Sequence, residues 1–494
     1  MARYDDQFMR HTDALAWNME HDPGLRSTIV GVTWLDARPD LEVLTARLDR
    51  ATRIAPRFRQ RPVRPPGLFA TPRWVDCDLD LSIHLRRIDA PHPHTPRTVV
   101  EFARSEAMTE FDPSRPLWAM TLIEGLEGDR AALVLKLHHS LTDGLGAVQL
   151  GYLLFELVPE PEPVVPVEDV GPEPVPSGPE LTREALLRSV RSLASTARGG
   201  VGRIVPTATT TVRHPVRSTL DVLATASSLG RFVMPVSDTL SPIMRRRGLG
   251  RHLDMIEVDV AELKAAGAAV GSTLNDAFVA SVTGGLRRYH ALHGTAVKDL
   301  RVTMPISMRR ESDPVGGNRI TLERFTVPVG EADPGARVRM TGWLCRAARY
   351  EEALPLSDAV AGVLNLLPSG VVGSMLKHVD FLASDVPGVP VDLYLAGARV
   401  TGYYAFGPTT GAALNVTLLS YCGTCCVGVN VDTAAVPDAG VLVDCLRQGF
   451  DEVLTLAGEH RPATSPLAES ERTAAPAADD GGDEGEGPTL RAVH

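Results

Sequence analysis

The chain reads as an α/β protein of two packed domains, and three observations lead there. At 494 residues with 44% hydrophobic content, it is long enough to bury two cores. Apolar runs of strand length alternate with segments whose apolar residues recur at helical spacing, most plainly over 131–157 and 254–289. Between these halves, residues 159–182 are dominated by Pro, Glu and Val, a composition that holds neither a helix nor a central strand and reads as an extended, solvated linker.

Composition narrows the function classes. The formal charge of −11 argues against a general nucleic-acid binder. Met1–Phe8 lacks the apolar core of a signal peptide, so a cytoplasmic chain is expected. Six cysteines in a chain of this length do not form a disulfide framework. Cys422-Gly-Thr-Cys425-Cys426 contains one CxxC without a second pair, and these cysteines read as small buried residues rather than zinc or redox ligands.

In chain order, Thr12–Glu20 is an apolar turn bracketed by Asp13 and Glu20, with Asp13 expected as a helix cap. Residues 41–54 read as an amphipathic helix with Leu41, Leu44, Leu48 and Ala51 on one face. His84 is expected on a strand near the surface. A helix beginning near Arg97 should be ended by Pro116, after which Trp118 opens a strand as a large apolar anchor, in a packing role. Ala131–Leu137 has the length and make-up of a buried strand, and residues 145–157 follow as a helix.

Joining them is His138-His139-Ser140-Leu141-Thr142-Asp143-Gly144. Neighbouring side chains on a strand point to opposite faces, so one histidine can face a cavity while the other is held in the scaffold. A neutral imidazole can take the proton of a bound hydroxyl near pH 7, which suits acyl transfer to an alcohol or amine. Asp143 is placed to brace the loop and Gly144 to allow a tight turn. The alternative is a pair of structural histidines at a strand end.

Beyond the linker the charge balance reverses: 183–252 holds twelve arginines against three acids. Leu186, Leu187, Val190, Leu193, Ala194 and Ala197 form an apolar stripe among Arg183, Arg188, Arg191 and Arg198, which reads equally as an interfacial helix or as a covering helix with a solvated basic face. Arg245-Arg246-Arg247 is a cationic cluster suited to meeting phosphate groups. Asp254–Val260 reads as a strand and Ser272–Tyr289 as a capped helix carrying Asn275 and Asp276 in its first turn. A further strand should end at Pro305, leaving Ser307 and Arg309 in a loop with donors available to substrate. Residues 359–376 approach the length of a membrane span, but Asn365, Pro368, Ser369, Gly370 and Gly373 interrupt them. A broken helix pair, packed on the protein or dipping into a membrane surface, fits better. Disorder is expected from Pro462 onward.

His-His-x-x-x-Asp-Gly resembles the motif of the acyl-CoA-dependent acyltransferases of the chloramphenicol acetyltransferase-like fold. Within that group the chain resembles the bacterial wax ester synthase/diacylglycerol acyltransferase family. The similarity runs over roughly residues 5–455. It includes, in order, Thr12–Glu20, Pro56–Arg61, Trp74, Asp78–Leu85, Pro116-Leu117-Trp118, Asn275-Asp276, Val302–Arg310 with Gly317-Asn318, and Gly411–Asp432. In Ser384-Asp385-Val-Pro-Gly the family usually carries Asn where Asp385 stands.

The resemblance implies two domains, each a mixed sheet backed by helices, with the active-site channel between them. Residues 1–158 would form the first and 253–460 the second, joined by the 159–182 linker and an Arg-rich helical connector over 183–252, with a disordered tail over 461–494. It implies His139 as the general base in the channel, with His138 in support and Asp143 holding the loop through a salt bridge to an arginine. Asn275, Asp276, Ser307 and Arg309 would lie near the substrate. The implied activity moves a long-chain fatty acyl group from acyl-CoA, as substrate, to diacylglycerol or to a long-chain alcohol. Attack on the thioester would be direct, with no acyl-enzyme and no metal or other cofactor. The implied setting is peripheral, on the inner membrane or a lipid droplet. Two other readings are a catalytically weak or silent lipid-binding, droplet-surface protein, and a carrier-protein-dependent acyltransferase similar to a condensation domain. A plant-type acyltransferase is opposed by the lack of Asp-Phe-Gly-Trp-Gly near the C-terminus.

Overall fold

The computed structural model describes residues 7–65, 71–142, 144–165, 167, 176–184, 187, 238–307, 320–349, 361–362, 364–365, 369–468 and 470. Two six-stranded mixed sheets organise them. The first half of the chain supplies helix α1 (His11–Met19), strand β1 (Thr28–Leu35), helix α2 (Leu41–Ile54), β2 (Gln60–Val63), β3 (Arg73–Asp76), the single turn α3 (Leu81–His84), β4 (Leu85–Asp89), helix α4 (Pro96–Met108), β5 (Trp118–Leu126), β6 (Arg130–His138) and α5 (Gly144–Gly151). The second supplies β7 (Arg251–Asp259), α6 (Val260–Ala269), α7 (Leu274–Leu292), β8 (Asp299–Ser307), β9 (Ile320–Pro328), α8 (Pro334–Arg349), α9 (Ser369–Leu376), β10 (Phe381–Val389), β11 (Tyr394–Leu395), β12 (Ala398–Phe406), β13 (Leu414–Tyr421), β14 (Thr424–Asp432) and α10 (Ala439–Leu454).

Strand order in the first sheet is β11-β12-β1-β6-β5-β4 and in the second β7-β14-β13-β10-β8-β9. Each has its own core. The division expected at the linker is crossed, because β11 and β12, from the second half, complete the first sheet. Helix α4 is wedged between the sheets. Its Val99, Val100 and Ala103 are buried in one core with Leu253 and Met255 of β7, whose alternate residues Ile256 and Val258 face the other core. On the far side α7 and α10 cross closely at Gly285, where a Cβ would come within 2.5 Å of the Leu446 Cα.

Several expectations from the sequence are met. Helix 41–54 forms as read, capped by Asp40, whose carboxylate accepts from Glu42 N (2.9 Å) and Val43 N (3.0 Å). Trp118 opens β5, fully buried, with its Nε1 donating to Phe58 O (2.8 Å). Others are corrected. Asp13 does not cap α1; it lies buried inside the first turn, and the N-cap is Arg10. His84 ends a helical turn, buried, with Nδ1 2.7 Å from Trp118 O and its ring against Trp118. The helix after Arg97 stops at Met108, well before Pro116. The helix after the histidines stops at Gly151, ahead of a bridge from Glu156 to Tyr394.

Pro305 does not end its strand. It pairs with Leu322 inside β8, beyond the short parallel pairing of β8 with β10 (Val302, Thr303), so among the described residues no strand on that side calls for its missing N–H. Cys425 and Cys426 are buried as expected, whereas Cys422 is exposed in the β13–β14 turn at φ +44°. The linker expected to be extended over 159–182 is helical from 178, where Leu181 finds a buried position, and the helix continues through 184. Residues 238–250 of the expected helical connector are irregular, and most of 183–237 lies outside the described residues. The expected disordered tail holds to the body over 462–468: Thr464 bridges Glu257, and Ala463 and Leu467 are buried. Of 359–376, α9 and residues 361–362 and 364 are helical. Among the described residues no helix is long and apolar enough to cross a membrane.

Candidate active site

The paired histidines stand at the end of β6, and the backbone sets them apart. His138 N donates to Leu117 O (3.0 Å) on the β5 side, and His139 N to Ser27 O (2.9 Å) on the β1 side. Donation to opposite neighbours by successive residues is the antiparallel pattern, so strand alternation persists through His139. His138 therefore shares its face with Lys136, and His139 shares the other with Leu133, Leu135 and Leu137.

On its face His138 is completely buried. The Ser140 amide donates to its Nδ1 (3.1 Å), and Ser140 Oγ lies 2.7 Å from the same nitrogen. An amide N–H can only donate, so Nδ1 is an acceptor and the ring proton sits on Nε2. Nε2 is turned to Glu20, 3.4 Å from Oε2. The same carboxylate oxygen accepts from Ser27 N (3.1 Å). Trp17 and Phe111 enclose the ring edge-on at centroid distances of 5.4 and 5.9 Å. Nδ1 of His138 is thus committed to the scaffold, while Nε2 is enclosed beside Glu20 without a hydrogen bond among the described residues. Glu20 was visible in the sequence only as the end of the opening signature; its contact with His138 is long-range and carries no local signal.

On the other face, His139 is half-buried. Beside it along β6 lies an apolar cavity, part of it open to solvent, lined by Leu133, Leu135 and Leu137, by Leu48 and Ala51 of α2, by Ala147 and Gly151 of α5, and by Phe155 and Tyr403. Burial pushes the Tyr403 hydroxyl up to about 12, so it stays protonated.

The other site residues expected from the sequence are distributed as follows. Gly144 is the first residue of α5, and Asp143 lies outside the described residues. Asp276 is held in a capping box: it accepts from Thr273 N (2.9 Å), and its own N donates to Thr273 Oγ1 (3.3 Å). Asn275 lies half-buried beside it, and burial raises the nearby Cys345 thiol to about 12. Ser307 is the last residue of β8 and Arg309 lies outside the described residues. Arg247 is not free for CoA phosphates, since its guanidinium donates to Gly411 O (2.7 Å), Val379 O (2.9 Å) and Met244 O (2.7 Å). Arg245 pairs with Asp238, and Arg246 is exposed.

Strand β10 packs against α5 from the second sheet and carries Asp385. This carboxyl has no hydrogen-bond or ion-pair partner among the described residues, and burial raises it to about 6.

Two mixed sheets thus carry a histidine pair at a strand end, with an apolar cavity on the side of the second histidine. The wax ester synthase/diacylglycerol acyltransferase catalytic-domain model matches residues 9–278, and the C-terminal-domain model of the same family matches residues 316–453. The chain belongs to that family and is an O-acyltransferase. A putative diacylglycerol O-acyltransferase of Mycobacterium tuberculosis is 36% identical over 466 residues, covering 92% of this chain and 93% of its own. A second from the same organism is 30% identical over 447 residues, covering 86% and 90%. Among solved structures, the wax ester synthase/diacylglycerol acyltransferase of Marinobacter aquaeolei VT8 superposes with a TM-score of 0.61 at 21% identity, over 92% of this chain and 100% of its own. The starter condensation domain of rhizomide synthetase does so with a TM-score of 0.60 at 14% identity, over 93% and 97%.

Proposed function

We propose that the chain transfers a long-chain acyl group from acyl-CoA to the hydroxyl of diacylglycerol, and also to long-chain alcohols, with His139 as the general base. His139 takes the hydroxyl proton as the oxygen attacks the thioester carbonyl. The tetrahedral intermediate collapses with cleavage of the C–S bond, and the proton held on His139 passes to the departing CoA thiolate. The imidazole is returned unprotonated, and no acyl-enzyme forms. His138 holds the strand end, and Asp143 braces the turn through an arginine. Asn275, Ser307 and Arg309 are the proposed polar contacts to substrate, with Asp276 supporting Asn275 through the cap. The chemistry calls for no metal or other cofactor, acyl-CoA being a substrate. The lipid acceptor implies a cytoplasmic protein held peripherally at a membrane or droplet surface.

One observation carries the reading: the apolar cavity opens along the face of β6 that His139 shares. Along β6 the cavity is lined from Leu133 to Leu137, about 13 Å at ~3.3 Å per residue, and His139 is the next residue on that face, which supports a hydrocarbon chain directed toward the imidazole. The test is CoA release by purified protein with palmitoyl-CoA, comparing dioleoylglycerol, hexadecanol and no acceptor. Acceptor-dependent thiol release with triacylglycerol or wax ester as product is expected. Binding of both lipids without release would instead assign the chain to the silent lipid-binding class.

A further inference from the structure

Helix α8 (Pro334–Arg349) has four arginines and no acid in its 16 residues, within a chain of net charge −11. Its inner face is complete: Val338, Thr341, Gly342 and Ala348 are buried, and Arg337 is buried with its guanidinium on Glu452 (2.8 Å), Ala280 O (3.1 Å) and Glu331 O (2.8 Å). The outer face carries Arg339, Met340, Trp343, Arg346 and Arg349, all exposed. Trp343 is 66% exposed and Met340 46%, whereas the other four tryptophans of the chain are buried or half-buried. A large indole left in water beside a flexible thioether, ringed by cations, is the composition of a lipid-headgroup contact.

We propose that the outer face of α8 is the surface by which this acyltransferase rests on an anionic lipid membrane. The proposal rests on the reading that the acceptor is a membrane-dissolved lipid. Trp343 and Met340 would enter the headgroup boundary while Arg339, Arg346 and Arg349 meet lipid phosphates. Charge selects this occupant over a second copy of the chain. A two-fold contact through this face would set its arginines against the same arginines, with no acid on the helix to answer them. The face also adjoins the second lobe's candidate substrate residues, since Arg346 reaches Asp276 (3.7 Å) at the start of α7, beside Asn275.

The test uses the full chain and two variants clear of the site, Trp343→Ser and Arg339→Glu/Arg349→Glu. Each is measured by co-sedimentation with phosphatidylcholine vesicles with and without phosphatidylglycerol, and by acyl transfer to hexadecanol in neutral detergent micelles. The wild type should bind the anionic vesicles preferentially. The double charge reversal should weaken that binding by about tenfold or more and Trp343→Ser by several-fold, with micellar transfer unchanged within about twofold. Vesicle binding by both variants equal to wild type overturns the proposal. So does loss of self-association in sedimentation velocity with lipid binding intact, which would give the face to a second copy. Absence of micellar transfer in the wild type would count against the enzymatic reading alone, because vesicle binding still reads the face.

Discussion

His138 and His139 are neighbours whose roles are separated by what their ring nitrogens face. The Ser140 amide occupies Nδ1 of His138 and Glu20 stands before its Nε2, so the first histidine orients the turn while the second is presented to the cavity side. Glu20 is accordingly a positioning residue. Glu20→Ala leaves the buried Ser27 N–H without its acceptor and should cost about 1–3 kcal/mol in urea unfolding. Glu20→Gln keeps an acceptor oxygen and should recover most of that loss; equal destabilisation by both variants would show that the oxygen is not what matters. Asp385 gives a pH-dependent prediction. Its folded-state carboxyl is raised from 3.8 to about 6, so the folded chain holds this proton more tightly than the unfolded chain. The penalty for burying the charge is therefore absent below about pH 4, grows as pH rises, and is complete above about pH 6. Asp385→Asn should match wild type near pH 4 and exceed its stability by about 1–3 kcal/mol at pH 8. A pH-independent difference would contradict this. At this scale the sequence displayed the histidines and their opposite facing, because alternation is local. It did not display Glu20 as their partner, because that contact joins elements far apart in the chain.

Strand β6 and helix α5 form the element on which the site is built. The strand was legible from its apolar run, broken only by Lys136, and the helix from its spacing, although Gly151 ends it early. Ala147 on α5 lines the cavity, so Ala147→Phe should fill it and shift donor preference toward shorter chains. The ratio of kcat/KM for palmitoyl-CoA over octanoyl-CoA should fall about tenfold, the scale of a few lost methylene contacts. An unchanged ratio would remove the cavity from the account. Elsewhere, the misreadings share a cause. Pro305 and Pro116 were read as terminators by local chemistry, yet Pro305 sits where only one neighbouring strand is paired, and α4 had already ended at Met108. His84 looked like an exposed strand residue because nothing local reveals that Trp118 O and the Trp118 ring enclose it.

Across the whole molecule, the two-domain reading captured two sheets and two cores. The exchange of β11 and β12 into the first sheet was hidden, because pairing between β12 and β1 is set by tertiary register rather than by composition. The ordered stretch 462–468 was hidden likewise: a tail rich in Ala, Glu, Asp and Gly reads as disordered, but Leu467 and Ala463 reach buried positions and Thr464 pairs with Glu257. The exposed face of α8 was not legible in the sequence, because only packing of the helix shows that Trp343 and Met340 are left outside. Both sheets and the helix wedged between them serve to fix one strand end, and the chemistry assigned to that end rests on His139. The most direct test is acceptor-dependent CoA release by His139→Ala, with folding confirmed by an unchanged unfolding midpoint. A loss of about 10²–10⁴-fold in kcat is expected, the contribution of a positioned general base; a folded His139→Ala protein with near-normal turnover would contradict the account.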